Sequence, residues 1–292
     1  MAGTLSLHCI HPGGGAFVVD AGRPNLRALG IARGGAADPL ARADANRLLG
    51  RATTATCLEL TLTGGRWLFS GQGQIVLTGA DFGWRLNGQP ADTYSVVFLD
   101  GDYLLSGSQA RHGLRGYLAI NGNWDLPSAQ GSVEEGLPGI PPIQKGWNVR
   151  IPWEREAAYR LDLPVPAPTT SSPLRVFPGP EWDTLPADWQ RHLLQTSFRV
   201  ARDSNRQGIR LESTSGHLPA PLPAAQRSLL SSPVLPGTVQ LTPSGPILLG
   251  PTAQTVGGYP RVLVLATVED HSQAFQTGLS ASLAFQLVTT TP

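Results

Sequence analysis

Glycine and proline recur along this chain and divide its apolar residues into short runs. The 292 residues include 34 Gly and 26 Pro, which are spread through the sequence and do not form low-complexity tracts. Proline withholds a backbone donor and glycine favours tight turns, so this punctuation is typical of many short strands. The sequence therefore predicts a mainly β protein.

Strands are predicted wherever an apolar run lies between two turn signals. In the first half they are 7–11, 16–20, 58–62, 66–70, 74–78, 84–87, 95–99, 103–106 and 115–120. In the second half they are 174–177, 198–201, 209–212, 238–241, 247–250, 261–268 and 282–288. The dipeptide Asn87-Gly88 is a strong signal for a type I′ hairpin between two of them.

About one short helix is predicted in each half. In the first half Asp38 is suited to an N-cap, Pro39 to the first helical position and Gly50 to the end of the helix. In the second half a helix over about 186–195 would have one apolar face. That face consists of Leu185, Trp189 and Leu193.

A proline-rich segment at 163–173 indicates a linker, because its prolines exclude a helix and withhold ladder donors. We therefore expect an N-terminal β domain over 1–162 and a C-terminal β domain over 174–292. Each is expected to resemble a β-barrel, and the two look related.

The charge balance excludes several classes of partner. The net charge is +1 and only 15% of residues are charged, which argues against nucleic acid. No stretch approaches the length of a membrane span, and the first 20 residues lack a secretory pattern, so a cytoplasmic protein is expected. Cys9 and Cys57 form neither a disulfide framework nor a zinc motif.

Polar groups suited to binding a small molecule occur first at the turns near residues 20–38. Arg23 has a forked donor set that suits a carboxylate, although an arginine in a turn is often only solvated or paired. Asp38 is explained at least as well by helix capping. The candidates here are Asp20, Arg23, Gly35 and Asp38.

A second polar turn, at 203–211, leads into a predicted strand. There Gly208 and Arg210 would share one side, and Ile209 and Leu211 the other. The arginines offer charge to a carboxylate or phosphate, or else lie on a surface over an apolar strand. The candidates are Ser204, Arg206 and Arg210.

A third turn lies between the apolar runs 246–250 and 262–268. It is either a plain hairpin connector or an opening where glycines let a ligand approach the main chain. Its candidates are Gln254, Thr255, Gly257, Gly258 and Tyr259.

Familiar catalytic motifs are absent from the sequence. It has no P-loop, no nucleophile elbow and no dinucleotide fingerprint, and no residue stands out as a nucleophile. The Gly13-Gly14-Gly15 run lacks the lysine of a phosphate loop and predicts a tight turn. Cys9 and His11 would share a strand face, but without a third ligand no metal site is expected.

In order and spacing, a series of segments resembles one protein family. They include Gly35-Ala36-x-Asp38, Ser204-x-Arg206-x-Gly208-x-Arg210 and Gln254-Thr255-x-Gly257-Gly258-Tyr259-Pro260-Arg261, with 20–24, 45–50, 58–61, 77–81, 116–119, 178–180 and 235–240. The family is allophanate hydrolase subunit 2, also called biotin-dependent carboxyltransferase-like or KipA-like, whose members include the C subunit of 5-oxoprolinase. The resemblance covers nearly the whole chain.

The resemblance implies two cyclophilin-like β-barrel domains with a ligand cleft between them. It implies a hydrolase component that, with the A and B subunits of 5-oxoprolinase and with ATP acting through the complex, opens 5-oxo-L-proline to L-glutamate. One alternative is a carboxyltransferase component that uses biotin on a separate carrier. Another is a noncatalytic regulator that binds a KipI-like protein. The expected ligand in either enzyme is a small amide or carboxylate.

One departure from the family is marked. The family's Gly-Ser-Arg-Ser-Thr run reads Gly131-Ser132-Val133-Glu134-Glu135 in this chain. The arginine is lost and two acids are gained, so the local charge is reversed. We expect an anion held at this place in other members to be repelled here.

Overall fold

The structure is a computed structural model that describes residues 2–154, 173–216 and 219–288. The chain divides into two compact units, one of Met1–Arg23 and Gly34–Pro168 and the other of Pro24–Arg33 and Thr169–Pro292. The segment 24–33 thus belongs to the second unit. All but the last residue of the predicted linker 163–173 lies outside the described residues, so the predicted domain boundaries stay a prediction.

The first unit is built on one antiparallel sheet of nine strands. They are β1 (Ala2–His11), β2 (Ala16–Val19), β3 (Cys57–Thr61), β4 (Thr63–Asp81), β5 (Arg85–Leu86), β6 (Gln89–Pro90), β7 (Val96–Gln109), β8 (His112–Ile120) and β9 (Asn148–Glu154). The sheet order is β2-β3-β8-β4-β7-β5-β6, and β1 pairs with both β4 and β9. Strand β4 is therefore central, because β1, β7 and β8 all pair with it.

Two long strands replace four predicted ones. Strand β4 joins the predicted 66–70 and 74–78, and β7 joins 95–99 and 103–106. Gly71 and Gly101 lie opposite each other in the ladder, both with positive φ. Glycine accepts that conformation while the ladder continues, so the glycines bend the paired strands without ending them.

The first unit packs its apolar side chains in two clusters. The larger cluster contains the fully buried Trp67, Phe69 and Phe82. The smaller cluster lies under helix α1 (Pro39–Leu48), whose Ala45 and Leu48 are buried. The predicted helix is thus confirmed and packs on the sheet through its apolar face.

The second unit has an eight-stranded sheet and a small two-stranded one. Its strands are β10 (Leu174–Pro178), β11 (Phe198–Val200), β12 (Gly208–Ser213), β13 (Ser232–Pro233), β14 (Thr238–Thr242), β15 (Gly245–Leu249), β16 (Val256–Gly257), β17 (Arg261–Leu265), β18 (Ser282–Leu283) and β19 (Phe285–Leu287). The large sheet has the order β18-β11-β12-β15-β14-β17-β10-β19, and β13 pairs with β16. Only the β10–β19 pair among those described is parallel.

Three helices accompany these strands: α2 (Ala187–Gln195), α3 (Ala224–Arg227) and α4 (Val268–Gln276). The predicted helix at 186–195 is confirmed, and its apolar face is buried. Helix α4 was not predicted. The strand expected over 261–268 ends at Leu265, and the Thr267 side chain caps α4 by accepting from the Asp270 N–H.

The predicted fold class, mainly β with two β domains, is confirmed. None of the helices in the described part of the chain has the length and apolar character that crossing a membrane requires.

We predict that Gly64→Ala destabilises the first unit. A Cβ at Gly64 would lie 2.7 Å from the Gly107 Cα, which the β4–β7 pairing holds, and 2.8 Å from the ring of the buried Trp84. The expected loss is about 2 kcal/mol in the free energy of unfolding, measured by chemical denaturation. Gly278→Ala is the control, because a Cβ there meets nothing within 4 Å. Equal stability of the two variants would contradict the close packing.

Candidate functional site

Asp20, the first candidate in the first unit, holds the loop that follows Gln130. Its Oδ1 accepts from the Ser132 hydroxyl at 2.8 Å and from the Gly22 N–H at 2.7 Å, and its Oδ2 accepts from the Val133 N–H at 2.9 Å. Both carboxylate oxygens are therefore used within the chain. Asp20 thus fixes the position of the loop at 131–135.

Arg23 also holds this loop in place through hydrogen bonds to its main chain. Its side chain is only 3% exposed, its Nε donates to the Ala129 carbonyl at 3.3 Å, and its Nη2 donates to the Glu134 carbonyl. Of the possibilities that the sequence left open, a paired arginine is the one found here. A role for Arg23 in ligand binding stays a prediction.

Glu134 is directed into the first unit. It is 2% exposed, and its Oε2 accepts from the Gly35 N–H. A Cβ at Gly34, which has positive φ, would collide with this carboxylate, so the close approach requires glycine. The Glu134 carboxylate is thus bound by the glycine turn that contains the predicted candidate Gly35.

Asp38 caps helix α1, as its sequence position indicated. Its Oδ1 accepts from the Leu40 N–H at 3.1 Å and the Ala41 N–H at 3.0 Å. Its own N–H donates to the Tyr117 hydroxyl at 2.7 Å. The capping accounts for the aspartate without a ligand, and its assignment to substrate binding stays a prediction.

A buried network below this turn was not predicted. Glu59 is fully buried, and its Oε2 accepts from the Ala37 N–H and from the Tyr117 hydroxyl, each at 2.8 Å. Arg115 Nε lies 3.7 Å from Glu59 Oε1. Burial, followed by the charge of Glu59, raises the pKa of Tyr117 well above its usual value. The sequence feature that could have revealed this network is a charged residue inside each of two apolar strands, β3 and β8.

In the second unit, the candidates at 204–210 are divided between interior and surface. The Ser204 hydroxyl accepts from the Arg210 N–H at 3.0 Å. Arg206 is buried, whereas the Arg210 side chain is half-exposed and pairs with Asp203, Nε to Oδ2, at 2.9 Å. The predicted alternation is confirmed, since Ile209 and Leu211 are buried. Of the two arginines, Arg210 alone presents its charge at the surface.

The turn at 254–259 is organised by Gln240 of β14, a residue outside the predicted site. Gln240 is buried, its Nε2 donates to the Tyr259 carbonyl at 3.1 Å, and its Oε1 accepts from Gln254 Nε2 at 3.2 Å. A Cβ at Gly257 would lie 2.7 Å from Gln240 Nε2, and one at Gly258 would lie 2.9 Å from the Leu229 carbonyl. The space where a side chain would lie at each glycine is thus filled by other groups of this chain, and neither glycine has positive φ.

The outer side of this turn is open. Gln254 is exposed, Tyr259 is 40% exposed and Thr255 is partly exposed. The Thr255 carbonyl accepts from the Val234 N–H at 3.0 Å, which fixes its position. The turn therefore presents an amide and two hydroxyl groups from an immobilised backbone.

Arg27 secures the turn to the segment 24–33 within the second unit. Its Nη2 donates to the Gln254 carbonyl at 3.0 Å and to the Val234 carbonyl. Burial, together with the nearby charge of Arg33, lowers the pKa of Arg27. The two carbonyls thus hold a partly desolvated cation, which offsets part of the cost of burying it.

Arg261 and Glu181 form the best-paired ions of this region. Arg261 Nη2 lies 2.6 Å from Glu181 Oε1, while its Nε and its main-chain N–H both donate to Oε2, at 3.0 and 2.8 Å. Hydrogen bonds from the Arg261 side chain lower the pKa of Glu181. The pair fixes the start of β17, immediately after the 254–259 turn.

The structure therefore brings most candidates together within each unit. Around residues 129–135 it gathers Asp20, Arg23 and Gly35, and in the second unit it presents Gln254, Thr255 and Tyr259 on one turn. The cleft between domains that the resemblance implies stays a prediction.

The structure also shows the surroundings of two sequence patterns, the triple-glycine run and Cys9, for which no functional site was predicted. Gly13 and Gly14 lie against the Thr63 and Thr61 carbonyls, at 2.5 and 2.7 Å from ideal Cβ positions, so the predicted tight turn is filled by the chain itself. Cys9 is buried, and burial raises its pKa to about 11. Within the described ranges, no group of three His, Cys, Asp or Glu residues lies close enough to hold a metal ion.

Comparison with known proteins agrees with this architecture. Residues 29–287 match the family model for the carboxyltransferase domain, subdomain A and B. The chain is 32% identical over 262 residues to the 5-oxoprolinase C subunit of Escherichia coli, covering 88% of this chain and 83% of the relative. It is 28% identical over 280 residues to the 5-oxoprolinase C subunit of Haemophilus influenzae, covering 94% and 88%.

Two solved structures show the same fold. The crystal structure of TTHA0988 matches with a TM-score of 0.83 and 27% identity, over 96% of this chain and 55% of that one. Kluyveromyces lactis urea carboxylase matches with a TM-score of 0.84 and 20% identity, over 97% of this chain and 27% of that one. This chain therefore spans about half of the first protein and about a quarter of the second, and the latter likeness concerns the fold alone.

The two β units and the extent of the family match define a carboxyltransferase-type protein. This chain belongs to the carboxyltransferase domain, subdomain A and B, family.

We predict that Glu59→Gln destabilises the first unit by about 3 kcal/mol, because it removes a buried negative charge that lies 3.7 Å from the buried Arg115 Nε. Tyr117→Phe should cost about 1 kcal/mol, since it removes one buried hydroxyl. Urea denaturation measures both, with the exposed Asp92→Asn as control. A Glu59→Gln protein as stable as Asp92→Asn would show that the buried charge is not needed.

The Glu181–Arg261 pair predicts a pH-dependent stability. Because the folded-state pKa of Glu181 is lowered, its contribution is complete above the unfolded pKa of about 4.3 and is lost as the pH falls through the folded value. Glu181→Gln should therefore cost about 1–2 kcal/mol at pH 7, and the difference from wild type should narrow below about pH 4.3. Denaturation midpoints across that range test this, and a difference that is constant with pH would refute it.

Proposed function

We propose that this chain is one component of an ATP-dependent lactam hydrolase of the 5-oxoprolinase type, which converts 5-oxo-L-proline to L-glutamate together with partner subunits. The observation that supports this proposal is the match to two proteins that are named as the C subunit of 5-oxoprolinase. Each match covers most of this chain and most of the relative. The proposed partners are the corresponding A and B subunits. The cytoplasm is the compartment we propose for this assembly.

The exposed 254–259 turn suits recognition of a lactam. The cis amide of a lactam presents an N–H donor and a carbonyl acceptor side by side, and a carboxamide side chain can complement both. Gln254 Nε2 uses one hydrogen on Gln240 Oε1 and carries a second, while its Oε1 is an acceptor. Because Gln240 and Arg27 hold Gln254 from behind, its amide is oriented before substrate arrives.

The developing charge of ring opening would be stabilised by donors near the same turn. In the proposed reaction ATP activates the lactam oxygen, and oriented donors then stabilise the charge as water attacks. Tyr259 and Thr255 belong to the same turn as Gln254, and their hydroxyl-bearing side chains are exposed and partly exposed, respectively. We assign substrate orientation to Gln254 and oxygen stabilisation to Tyr259.

This chain is not proposed to cradle the ATP phosphates. In its triple-glycine turn, Gly13 and Gly14 lie against the carbonyls of Thr63 and Thr61, which argues against a phosphate at these two residues. We therefore assign ATP binding to the partner subunits, which makes this chain inert alone.

A second candidate is a biotin-dependent carboxyltransferase component. The family model that matches residues 29–287 carries carboxyltransferase in its description, which favours this candidate. In that case a separate carrier would bring carboxybiotin, and the Gln254 amide would bind the ureido group, whose N–H and carbonyl groups resemble those of a lactam.

The test is Gln254→Glu in an assembly reconstituted with the A and B subunits. The substitution keeps the size of the side chain, removes its donors and adds a charge near the lactam oxygen. We expect kcat/KM for glutamate release to fall by roughly a hundredfold. ATP-dependent glutamate release by the wild-type assembly, with no release by the isolated chain, would support the assignment to a multi-subunit hydrolase.

Gln286→Glu is the matched control, because Gln286 is an exposed residue of β19 in the same unit. Its activity should equal that of wild type. A verified wild-type assembly that releases no glutamate but transfers carboxylate from carboxybiotin would favour the second candidate. An assembly with neither activity would contradict both and indicate a noncatalytic regulatory protein.

A further inference from the structure

Apolar side chains of the second unit are exposed on and beside the 254–259 turn. We call this surface the turn patch. Its members are the exposed apolar residues of β13, β16 and the segments next to them, namely Leu29, Leu230, Pro233, Leu235, Val256 and Tyr259. Leu230 is 93% exposed and Leu29 is 73% exposed. Large apolar side chains gathered in one place and left in water are typical of a surface that another molecule covers.

The register of β13 and β16 gives the turn patch an open face. Pro233 pairs with Val256, and the Val234 N–H donates to the Thr255 carbonyl at 3.0 Å, so the pairing continues one residue further. Because successive side chains of a strand alternate between faces, Pro233, Leu235 and Val256 share one face and Val234 lies on the other. Burial agrees with this register, since those three residues are exposed and Val234 is buried.

Arg27 holds the segment that carries Leu29 against this pair of strands. Its side chain donates to the carbonyls of Val234 and Gln254, which belong to the two paired segments. A partner would therefore meet side chains on an ordered backbone, which limits the entropy cost of binding.

The charge around the turn patch is positive. The segments 24–33 and 219–260, which contribute all of its members, contain three arginines and no lysine, aspartate or glutamate. Burial and the charge of Arg33 both lower the pKa of Arg27, so Arg33 lies near the turn patch. Arg227 ends helix α3, and both it and Arg33 are exposed.

This charge distinguishes between two kinds of occupant. In a symmetric dimer the same surface of each copy faces the other, so arginines would meet arginines. A partner with apolar and acidic residues would instead complement the turn patch in both respects. The charges therefore favour a different, acidic partner over a second copy of this chain.

We propose that the turn patch is the docking surface for a partner protein whose contact surface is apolar and edged with Asp and Glu side chains. The identity of that partner rests on the proposed function, under which it belongs to the A and B subunits of the hydrolase. Docking there covers the exposed Gln254 and excludes water from the lactam site. The lactam site is then complete only in the assembly.

The test measures binding of the A and B subunits, supplied together, to the immobilised full-length chain. Leu230→Glu and Leu230→Lys are compared, because both remove the same apolar contact and they differ in the sign of the added charge. We expect Leu230→Glu to weaken binding about thirtyfold and Leu230→Lys about threefold, since an acidic partner repels the first and attracts the second. Val268→Glu is the control and should change nothing, because Val268 is an exposed apolar residue at the start of α4, outside the turn patch.

Glutamate release separates docking from catalysis. An assembly that contains Leu230→Glu should lose activity when the A and B subunits are limiting and regain the wild-type kcat when they are in excess. Excess subunits should not restore Gln254→Glu, because that variant alters the lactam site itself. Denaturation curves confirm that the variants are folded, and Val256→Glu and Val256→Lys replace the Leu230 pair if it does not fold.

The docking surface is overturned, and the proposed function is left standing, if wild type and Leu230→Glu bind the subunits equally well or if Leu230→Lys weakens binding more than Leu230→Glu. A wild-type chain that binds neither subunit overturns both proposals. Binding through the turn patch without glutamate release supports the docking surface and contradicts the hydrolase. A dimer of the isolated chain in sedimentation that Leu230→Glu disperses would assign the turn patch to a second copy and overturn the acidic partner.

Discussion

The loops of both units bury main-chain polar groups, and each such group needs a partner because leaving one unsatisfied costs about 1–3 kcal/mol. Charged and amide side chains supply these partners. In the first unit Arg23 donates to the carbonyls of 129 and 134, and Glu134 accepts from the Gly35 N–H. In the second unit Arg27 donates to the carbonyl of Gln254. The positions of the candidate sites depend on these contacts.

This requirement separates two kinds of polar residue. Asp20 and Arg23 direct their hydrogen-bonding groups at the chain, so they act on a ligand chiefly by holding the loop in place. Gln254 and Tyr259 are held through their main-chain carbonyls, and their side chains are exposed even though Gln254 Nε2 also donates to Gln240, which is the arrangement expected of ligand-binding groups. For this reason we place the proposed lactam site in the second unit.

Local sequence signals predicted the elements that depend on local interactions. Asp38 and Pro39 marked the start of α1 correctly, because capping involves only neighbouring residues. The Thr267 cap of α4 was also present, but the apolar run before it favoured a continued strand. The joining of predicted strands into β4 could not be predicted, since it depends on the distant glycine of β7 that pairs with Gly71.

The candidate turns were located in the sequence by their glycines and polar residues, but the residues that hold these turns in place were not. Gln240 and Glu181 lie 14 and 80 residues from their partners Gln254 and Arg261. Periodicity and turn chemistry describe neighbours in sequence, so they carry no information about such pairs.

The loop at 131–135, where the resemblance implies a reversed charge, shows how a buried acid is accommodated. Glu134 is buried and its Oε2 accepts from the Gly35 N–H, whereas Glu135 is only partly buried. The glycine turn is thereby occupied by a carboxylate of the chain itself. The expected loss of an anion site at this loop stays a prediction, and the contact between the Gly35 N–H and the Glu134 carboxylate is the observation that supports it.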